Sequence, residues 1–295
     1  MEYPACRVLL THMVKYSQND LQQLHNVLYE ILREIARVCD VLNIEYFIQG
    51  GSAIGAFFNH GIVPWDDDID VGMTRKNYNR FLKEAPKILQ DQFFLEWFES
   101  EKGTPFYFAK LKLNNTLFVE EPFKDLSIHH GIFVDIFPYD KIPDSPVLER
   151  LHRNLSRFWI NCFIGKTIWM WRWAAQCKIE TPLPKSKVNC YIQRFVSSLL
   201  SKRAIYHITN LTLGMFNWCN TKRVNIVRMP KDQFFIYQIE NREKVEFGPL
   251  MVYLPSDIEK YLRHHYPNLR PVLPVEEQIN HAPYRLEFES KESHA

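Results

Sequence analysis

Residues 64–72, PWDDDIDVG, place four carboxylates in five consecutive positions. Like charges this close repel one another, and a fold tolerates them best where a cation neutralises them. From 68 to 73, DIDVGM, charged and apolar residues alternate. That alternation predicts a strand with Asp68 and Asp70 on one face and Ile69 and Val71 anchored on the other. Carboxylate oxygens with no His or Cys beside them suit Mg²⁺ or Mn²⁺ better than zinc. An EF-hand loop beginning at Asp66 is excluded, because its sixth position is Val71 instead of Gly and its twelfth is Asn77 instead of Glu. A solvated acidic turn leaves the apolar Ile69 and Val71 without a purpose.

The residues just upstream, FIQGGSAIGAFFNHG at 47–61, read as a strand stopped by Gly50-Gly51 and a short helix opening near Ser52 and ending before Gly61. A helix N-terminus offers free backbone N–H groups to an anion, and glycine lets phosphate oxygens approach the backbone. Gly50, Gly51 and Ser52 are therefore candidate phosphate-binding residues. Gly-Gly-Ser is common by itself; followed by two strand carboxylates it is far more specific. A third acid is expected from a neighbouring strand, and HGIFVDIFPYD offers Asp135 between Val134 and Ile136. A lone buried carboxylate there is costly unless it is paired or binds metal. Asp140, beyond Pro138, reads as a turn residue. Lys110 and Lys112, two apart in FYFAKLKL, share a face; Lys110 is a candidate phosphate contact, against the plainer reading of an outward lysine.

Leu21, Leu24, Leu28, Ile31, Ile35, Val38 and Leu42 recur at helical spacing and predict an amphipathic helix over 20–42 capped by Asn19 or Asp20. Thr74 is placed to cap a further helix, and FFLEWFE, FYFAKLKL, LFVEE and GIFVDIFPY read as strands. The order of elements predicts an α+β domain, a mixed sheet with flanking helices, over 1–143. A mainly helical region with a mixed C-terminal part follows over 144–295. Charge changes at the same boundary. Residues 1–140 carry 13 Lys+Arg against 20 Asp+Glu, residues 141–230 carry 15 against 3, and residues 231–295 carry 8 against 11. The basic middle suits an anionic partner, although charge asymmetry alone also fits a solvated face. The six scattered cysteines have no zinc spacing and read as reduced thiols of a cytoplasmic protein. Neither a signal peptide nor an apolar run long enough to span a membrane is expected.

GGSAIGAFFNHGIVPWDDDIDVGM resembles the signature block of the LicD family, which includes the fukutin-like proteins. HGIFVDIFPYD is similar to its second block, and VEFGPLMVYLPSDIEKYLRHHYPNLRPVLP with a later Asn-His to its closing block. The resemblance implies a nucleotidyltransferase fold like that of DNA polymerase β. It also implies transfer of phosphocholine or a polyol phosphate from a CDP-linked donor to a hydroxyl of a glycan or lipid-linked glycan, releasing CMP. The glycan would be a cell-surface polymer such as teichoic acid or lipopolysaccharide. By the same resemblance Asp68, Asp70 and Asp135 are catalytic metal ligands for Mg²⁺ or Mn²⁺, Gly51 and Ser52 form the phosphate turn, and His281 belongs to the closing block on the acceptor side. Where the family has Arg-His, this chain has Phe58-Asn59.

Other classes compete with this reading. A glycosyltransferase could use Asp68-Ile69-Asp70 as its metal-nucleotide motif, but only 67 residues precede the motif, fewer than the nucleotide-binding sheet of roughly a hundred residues that such enzymes place before it. A true nucleotidyltransferase would transfer the nucleotide itself. A catalytically silent nucleotide- or glycan-binding module would bind without releasing CMP. Residues 157–173 hold Trp159, Trp169, Trp171 and Trp173 among basic residues. They suit peripheral contact with the inner membrane face, a sugar-stacking wall, or core packing. No nucleic-acid reading motif accompanies the basic residues.

Overall fold

The computed structural model describes residues 16–167, 187–226, 233–266, 269–274, 278 and 280–289. Trp169, Trp171 and Trp173 lie outside the described residues; Trp159 is half-buried against a helical core cluster.

Helix α1 (Gln18–Leu42), capped by Ser17, begins two residues earlier than the periodicity indicates. The Ser17 hydroxyl accepts from the Asp20 N–H and the Asp20 carboxylate accepts from the Ser17 N–H. This reciprocal pair satisfies donors at the helix start, so Asp20 completes the cap without being it. Leu24, Leu28, Ile31, Leu32, Ile35 and Val38 are buried along one stripe, each contributing roughly 1.5–3 kcal/mol by leaving water.

The chain continues through β1 (Phe47–Ile48), α2 (Gly50–Asn59), β2 (Asp70–Thr74), α3 (Arg75–Glu84), β3 (Phe93–Glu96), β4 (Ala109–Leu113), β5 (Leu117–Val119) and β6 (Phe133–Ile142). Helices α4 (Pro146–Thr167), α5 (Lys187–Leu199) and α6 (Lys202–Leu213) come next. They are followed by β7 (Arg223–Asn225), β8 (Gln233–Phe235), α7 (Ile236–Glu240), β9 (Glu243–Phe247), β10 (Leu250–Leu254), α8 (Ile258–His265) and β11 (Arg285–Glu287).

The main sheet runs β1-β2-β6-β4-β3, with β7 joining the far half of β6 and β8 joining β7. Only β2 and β6 pair in parallel; the other pairs of this sheet are antiparallel. A parallel neighbour needs a crossover, and α3, β3 and β4 lie in the chain between β2 and β6. The result is a mixed α+β arrangement whose sheet takes strands from both sides of residue 143. One core cluster joins α1 to the sheet and to the hairpin of β9 and β10. A second joins α4 and α6 to Phe98 and Tyr107. Among the described residues no helix is long and apolar enough to cross a membrane.

Two local expectations change. Strand pairing starts at Asp70, so Asp68 stands in the loop just before β2. Asp140 is not a turn residue: it lies inside β6, 1% exposed, and takes a two-pronged contact from Arg75 at 2.8 and 2.5 Å. Pro138 does not end the strand, which continues through it to Ile142.

Candidate functional site

The parallel pairing of β2 and β6 sets Asp70 directly beside Asp135. Antiparallel pairing then sets Lys110 of β4 beside Asp135, and Glu96 of β3 beside Lys110. Directly opposed residues on adjacent strands share a face. The sheet therefore carries a row of charges, Asp70, Asp135, Lys110 and Glu96, across four strands. The Asp135 N–H donates to the Ile69 carbonyl at 3.0 Å, and the Gln49 N–H donates to the Asp70 carbonyl at 3.1 Å. Both acids thus stand on backbone fixed by the sheet.

Lys110 is 2% exposed on its side chain. Its ammonium lies 3.1 Å from Asp135 and 3.5 Å from Glu120, against the rings of Phe106 and Phe133. Lys112, also buried, pairs with Glu96 and donates to the His129 carbonyl. Neither lysine faces outward. Two inward lysines are tolerated because acids from neighbouring strands meet them inside.

The first turn of α2, which opens at Gly50, two residues before the expected Ser52, meets the same row. Gly50 holds φ +56°, and a Cβ there would stand 3.1 Å from a carboxylate oxygen of Asp70. At Gly51 a Cβ would come within 2.7 Å of a carboxylate oxygen of Asp66. A side chain at Gly50 would be strained by that φ and would crowd Asp70, and one at Gly51 would require the Asp66 carboxylate to shift. The Ser52 hydroxyl is buried and accepts from the Asp70 N–H at 2.9 Å, so it ties the turn to β2. The N–H groups of the first helical turn have no carbonyl four residues earlier within the helix and are the groups an anion can use. Phe58 packs edge-on against Phe57, half-buried on the same helix.

Asp66, Asp67 and Asp68 behave differently from one another. Asp67 is 3% exposed and accepts from the Tyr16 hydroxyl at 2.8 Å and from the His281 N–H at 2.9 and 3.1 Å. It ties Tyr16, just ahead of the α1 cap, and a C-terminal segment to the acidic loop. The Asp66 carbonyl meets Nε2 of His25 at 2.8 Å. Among the described residues, Asp67, Asp68 and His281 each bring one ligand atom to within 4.8 Å of the others. The His281 side chain is 79% exposed, with Nδ1 3.7 Å from Asp67.

Burial and mutual repulsion raise the acids. Burial, then Asp68 and Asp67, push Asp66 up to about 8. Burial also raises Asp68, with the His281 charge opposing it. Asp135 rises to about 7 because burial outweighs the Lys110 ammonium beside it, and Glu120 and Asp68 add to the rise. Burial disfavours the Lys110 charge, but Asp135 and Glu120 outweigh it and hold its pKa above the usual value. The hydrogen bond to Asp67, with the charges of Asp68 and Asp66, lifts His281 to about 9. Desolvated carboxylates that are costly to ionise fit a divalent cation: Asp68, Asp70 and Asp135 offer only hard oxygens, which suit Mg²⁺ or Mn²⁺, whereas the set of Asp67, Asp68 and His281 adds a nitrogen.

The structure thus brings Asp68, Asp70, Asp135, Lys110 and the Gly50–Ser52 turn to one end of β2 and β6, and His281 reaches that end through Asp67. Sequence reasoning missed Asp67, Tyr16, Glu96 and Glu120. Asp67 was visible only as one more acid in the run, since its partners lie 51 and 214 residues away.

Residues 43–158 match the family described as LicD/FKTN/FKRP, nucleotidyltransferase domain. The chain carries a LicD-family domain. Lipopolysaccharide cholinephosphotransferase LicD of Haemophilus influenzae is 27% identical over 152 residues, 48% of this chain and 54% of that protein. Ribitol 5-phosphate transferase FKRP of Mus musculus is 28% identical over 97 residues, 32% of this chain and 19% of that protein. An uncharacterised protein of Rickettsia typhi is 32% identical over 63 residues. The chain spans about half the length of the first of these relatives and about a fifth of the second.

Proposed function

We propose that this chain is a phosphotransferase that moves a phosphorylated small molecule, phosphocholine or a polyol phosphate, from a CDP-linked donor to a glycan hydroxyl. The observation that carries the reading is the adjacency of Asp70 and Asp135 on parallel strands beside the Gly50–Ser52 turn. The family match and the names of two relatives, a cholinephosphotransferase and a ribitol phosphate transferase, support transfer of a phosphate-linked group. On this reading the sheet is the working half of a nucleotidyltransferase fold of the DNA polymerase β type.

Asp68, Asp70 and Asp135 would hold the metal, and bound Mg²⁺ or Mn²⁺ supplies neutralisation of the donor diphosphate and of charge on the leaving group. The chain's own groups do the rest. The N–H groups at Gly50, Gly51 and Ser52 receive a donor phosphate. Lys110, enclosed and paired, acts through Asp135 by fixing its carboxylate. Asp135 accepts the proton of the attacking hydroxyl. A new O–P bond forms at the distal phosphorus as the P–O bond to CMP breaks, and CMP leaves with the electron pair. His281, held at the rim by Asp67, faces the acceptor.

Thermal shift of the purified protein with Mg²⁺ and CDP-choline, CDP-ribitol, CDP-glycerol, UDP-sugars or CTP tests this. A metal-dependent rise for one CDP conjugate, lost in Asp68→Asn/Asp70→Asn, is the expected result. A rise confined to UDP-sugars would assign a glycosyltransferase, and no rise with any nucleotide would assign a module that does not bind nucleotides.

A further inference from the structure

A groove of about 1210 Å³ lies between α3, α6 and α7. It opens at the Thr74 end of β2, about 13 Å along the strand from Asp70 by the usual rise per residue, so it is separate from the carboxylate end. Its lining is mostly apolar and includes buried Leu82, Val224 and Ile239. Leu211, Met215 and Trp218 stand on its margin at 74%, 48% and 95% exposure. Exposed apolar groups gathered along one groove mark a binding surface. Lys76, Lys83 and Lys141 also line it.

The polar base of the groove is built and rigid. Arg75 is clamped by Asp140 and donates to Asn210 at 3.0 Å, and Asn217 donates to Asp140 at 2.7 Å. With Arg75 neutralised there, the lysines set the sign of the site. Of the two acids lining the groove, Glu45 is already paired with Arg242 at 2.7 Å. An apolar channel flanked by lysine ammoniums and a fully presented indole matches one ligand shape, a hydrocarbon chain ending in an anionic group. Trp is suited to the boundary between such a chain and its polar head.

We propose that this groove binds an anionic amphiphile, a hydrocarbon chain bearing a phosphate, at a site independent of the transfer reaction. The chain lies along Leu211, Met215 and Trp218, and the phosphate meets Lys76, Lys83 and Lys141.

Calorimetric titration with decyl phosphate, kept below its micelle concentration, tests the site. Saturable one-to-one binding is expected, weakened at least about tenfold by Trp218→Ala and by Lys76→Glu/Lys83→Glu (a factor of ten being about 1.4 kcal/mol). Decanol and inorganic phosphate, each with half of the ligand, should bind at least as much more weakly. Asp68→Asn/Asp70→Asn should bind as the unaltered protein does, which separates this site from the proposed transfer site. The occupant is a single free amphiphile held in the groove, so sedimentation with phosphatidylglycerol and phosphatidylcholine vesicles should show no Trp218-dependent capture; such capture by the anionic vesicles overturns the free ligand in favour of a bilayer surface. Absence of saturable binding overturns the proposal, as does binding untouched by both surface variants or lost with the two acids. Capture of an oligo-glutamate peptide but not of decyl phosphate overturns it in favour of a protein partner.

Discussion

Asp70 and Asp135 are direct register partners on the parallel strands β2 and β6, although 65 residues separate them in the chain. Adjacent strands lie about 4.8 Å apart, so two like charges are held close by backbone geometry. Nothing in strand packing requires this. A fold that fixes two acids side by side gains from a cation that neutralises them.

Replacing Asp70 by its amide should therefore separate activity from stability, whereas replacing Asp135 affects both. Asp70→Asn and Asp135→Asn are each expected to lower CMP release on the order of a thousandfold. Metal-free melting should stay level or rise in Asp70→Asn, because repulsion is removed, and should fall in Asp135→Asn, which takes the partner carboxylate from the buried Lys110 ammonium. Melting followed by circular dichroism beside a CMP assay checks both halves.

The raised acids carry a pH signature. Asp66 titrates near 8 and Asp135 near 7 in the fold, against about 3.9 in an unfolded chain. Between these values the native state binds more protons than the unfolded state, so stability from these groups falls as pH rises. It is fully present below about pH 4 and lost by about pH 8. Metal-free Asp66→Asn should consequently melt progressively higher than the unaltered protein from pH 5 to 8. The rise in melting temperature given by Mg²⁺ should also be larger at pH 8 than at pH 6. A gap that narrows with pH would contradict the burial of Asp66.

Arg75 and Asp140 make a buried two-pronged pair, with side chains 12% and 2% exposed. Removing one partner strands the other charge. Asp140→Ala should cost about 3–5 kcal/mol in urea unfolding, and Arg75→Met/Asp140→Leu should cost less than that single change. The two-residue variant measures whether the pair or its isolated charge matters.

Asp67 should behave as a clamp. Asp67→Ala leaves the Tyr16 hydroxyl and the His281 N–H without their acceptor, at a cost of about 1–3 kcal/mol. Hydrogen exchange at residues 280–282 should accelerate, and exchange in α4 should not. Unchanged exchange at 280–282 would show that other contacts hold the segment.

Much of the fold is legible because its signals are local. The leucines and isoleucines of α1 repeat at helical spacing, Thr74 accepts from Asn77 to cap α3, and Ile69 and Val71 announce β2. The Gly50–Ser52 turn and the acids at 68, 70 and 135 are legible for the same reason. Inward lysines are not. Lys110 alternates with Ala109 and Leu111 as an exposed residue would, and only the pairing of β4 with β6 places Asp135 beside it. Asp140 likewise follows a proline, a turn signal, while its reason for burial is Arg75, 65 residues away. Strand neighbours decide such cases, and neighbours distant in sequence leave no local pattern.

Titration of Mn²⁺ followed by electron paramagnetic resonance tests the metal site most directly. Saturable binding by the unaltered protein that is lost in both Asp70→Asn and Asp135→Asn, and kept in His281→Ala, is the expected result. Binding that survives both aspartate changes and disappears with His281→Ala would move the metal to Asp67, Asp68 and His281 and contradict the proposed site.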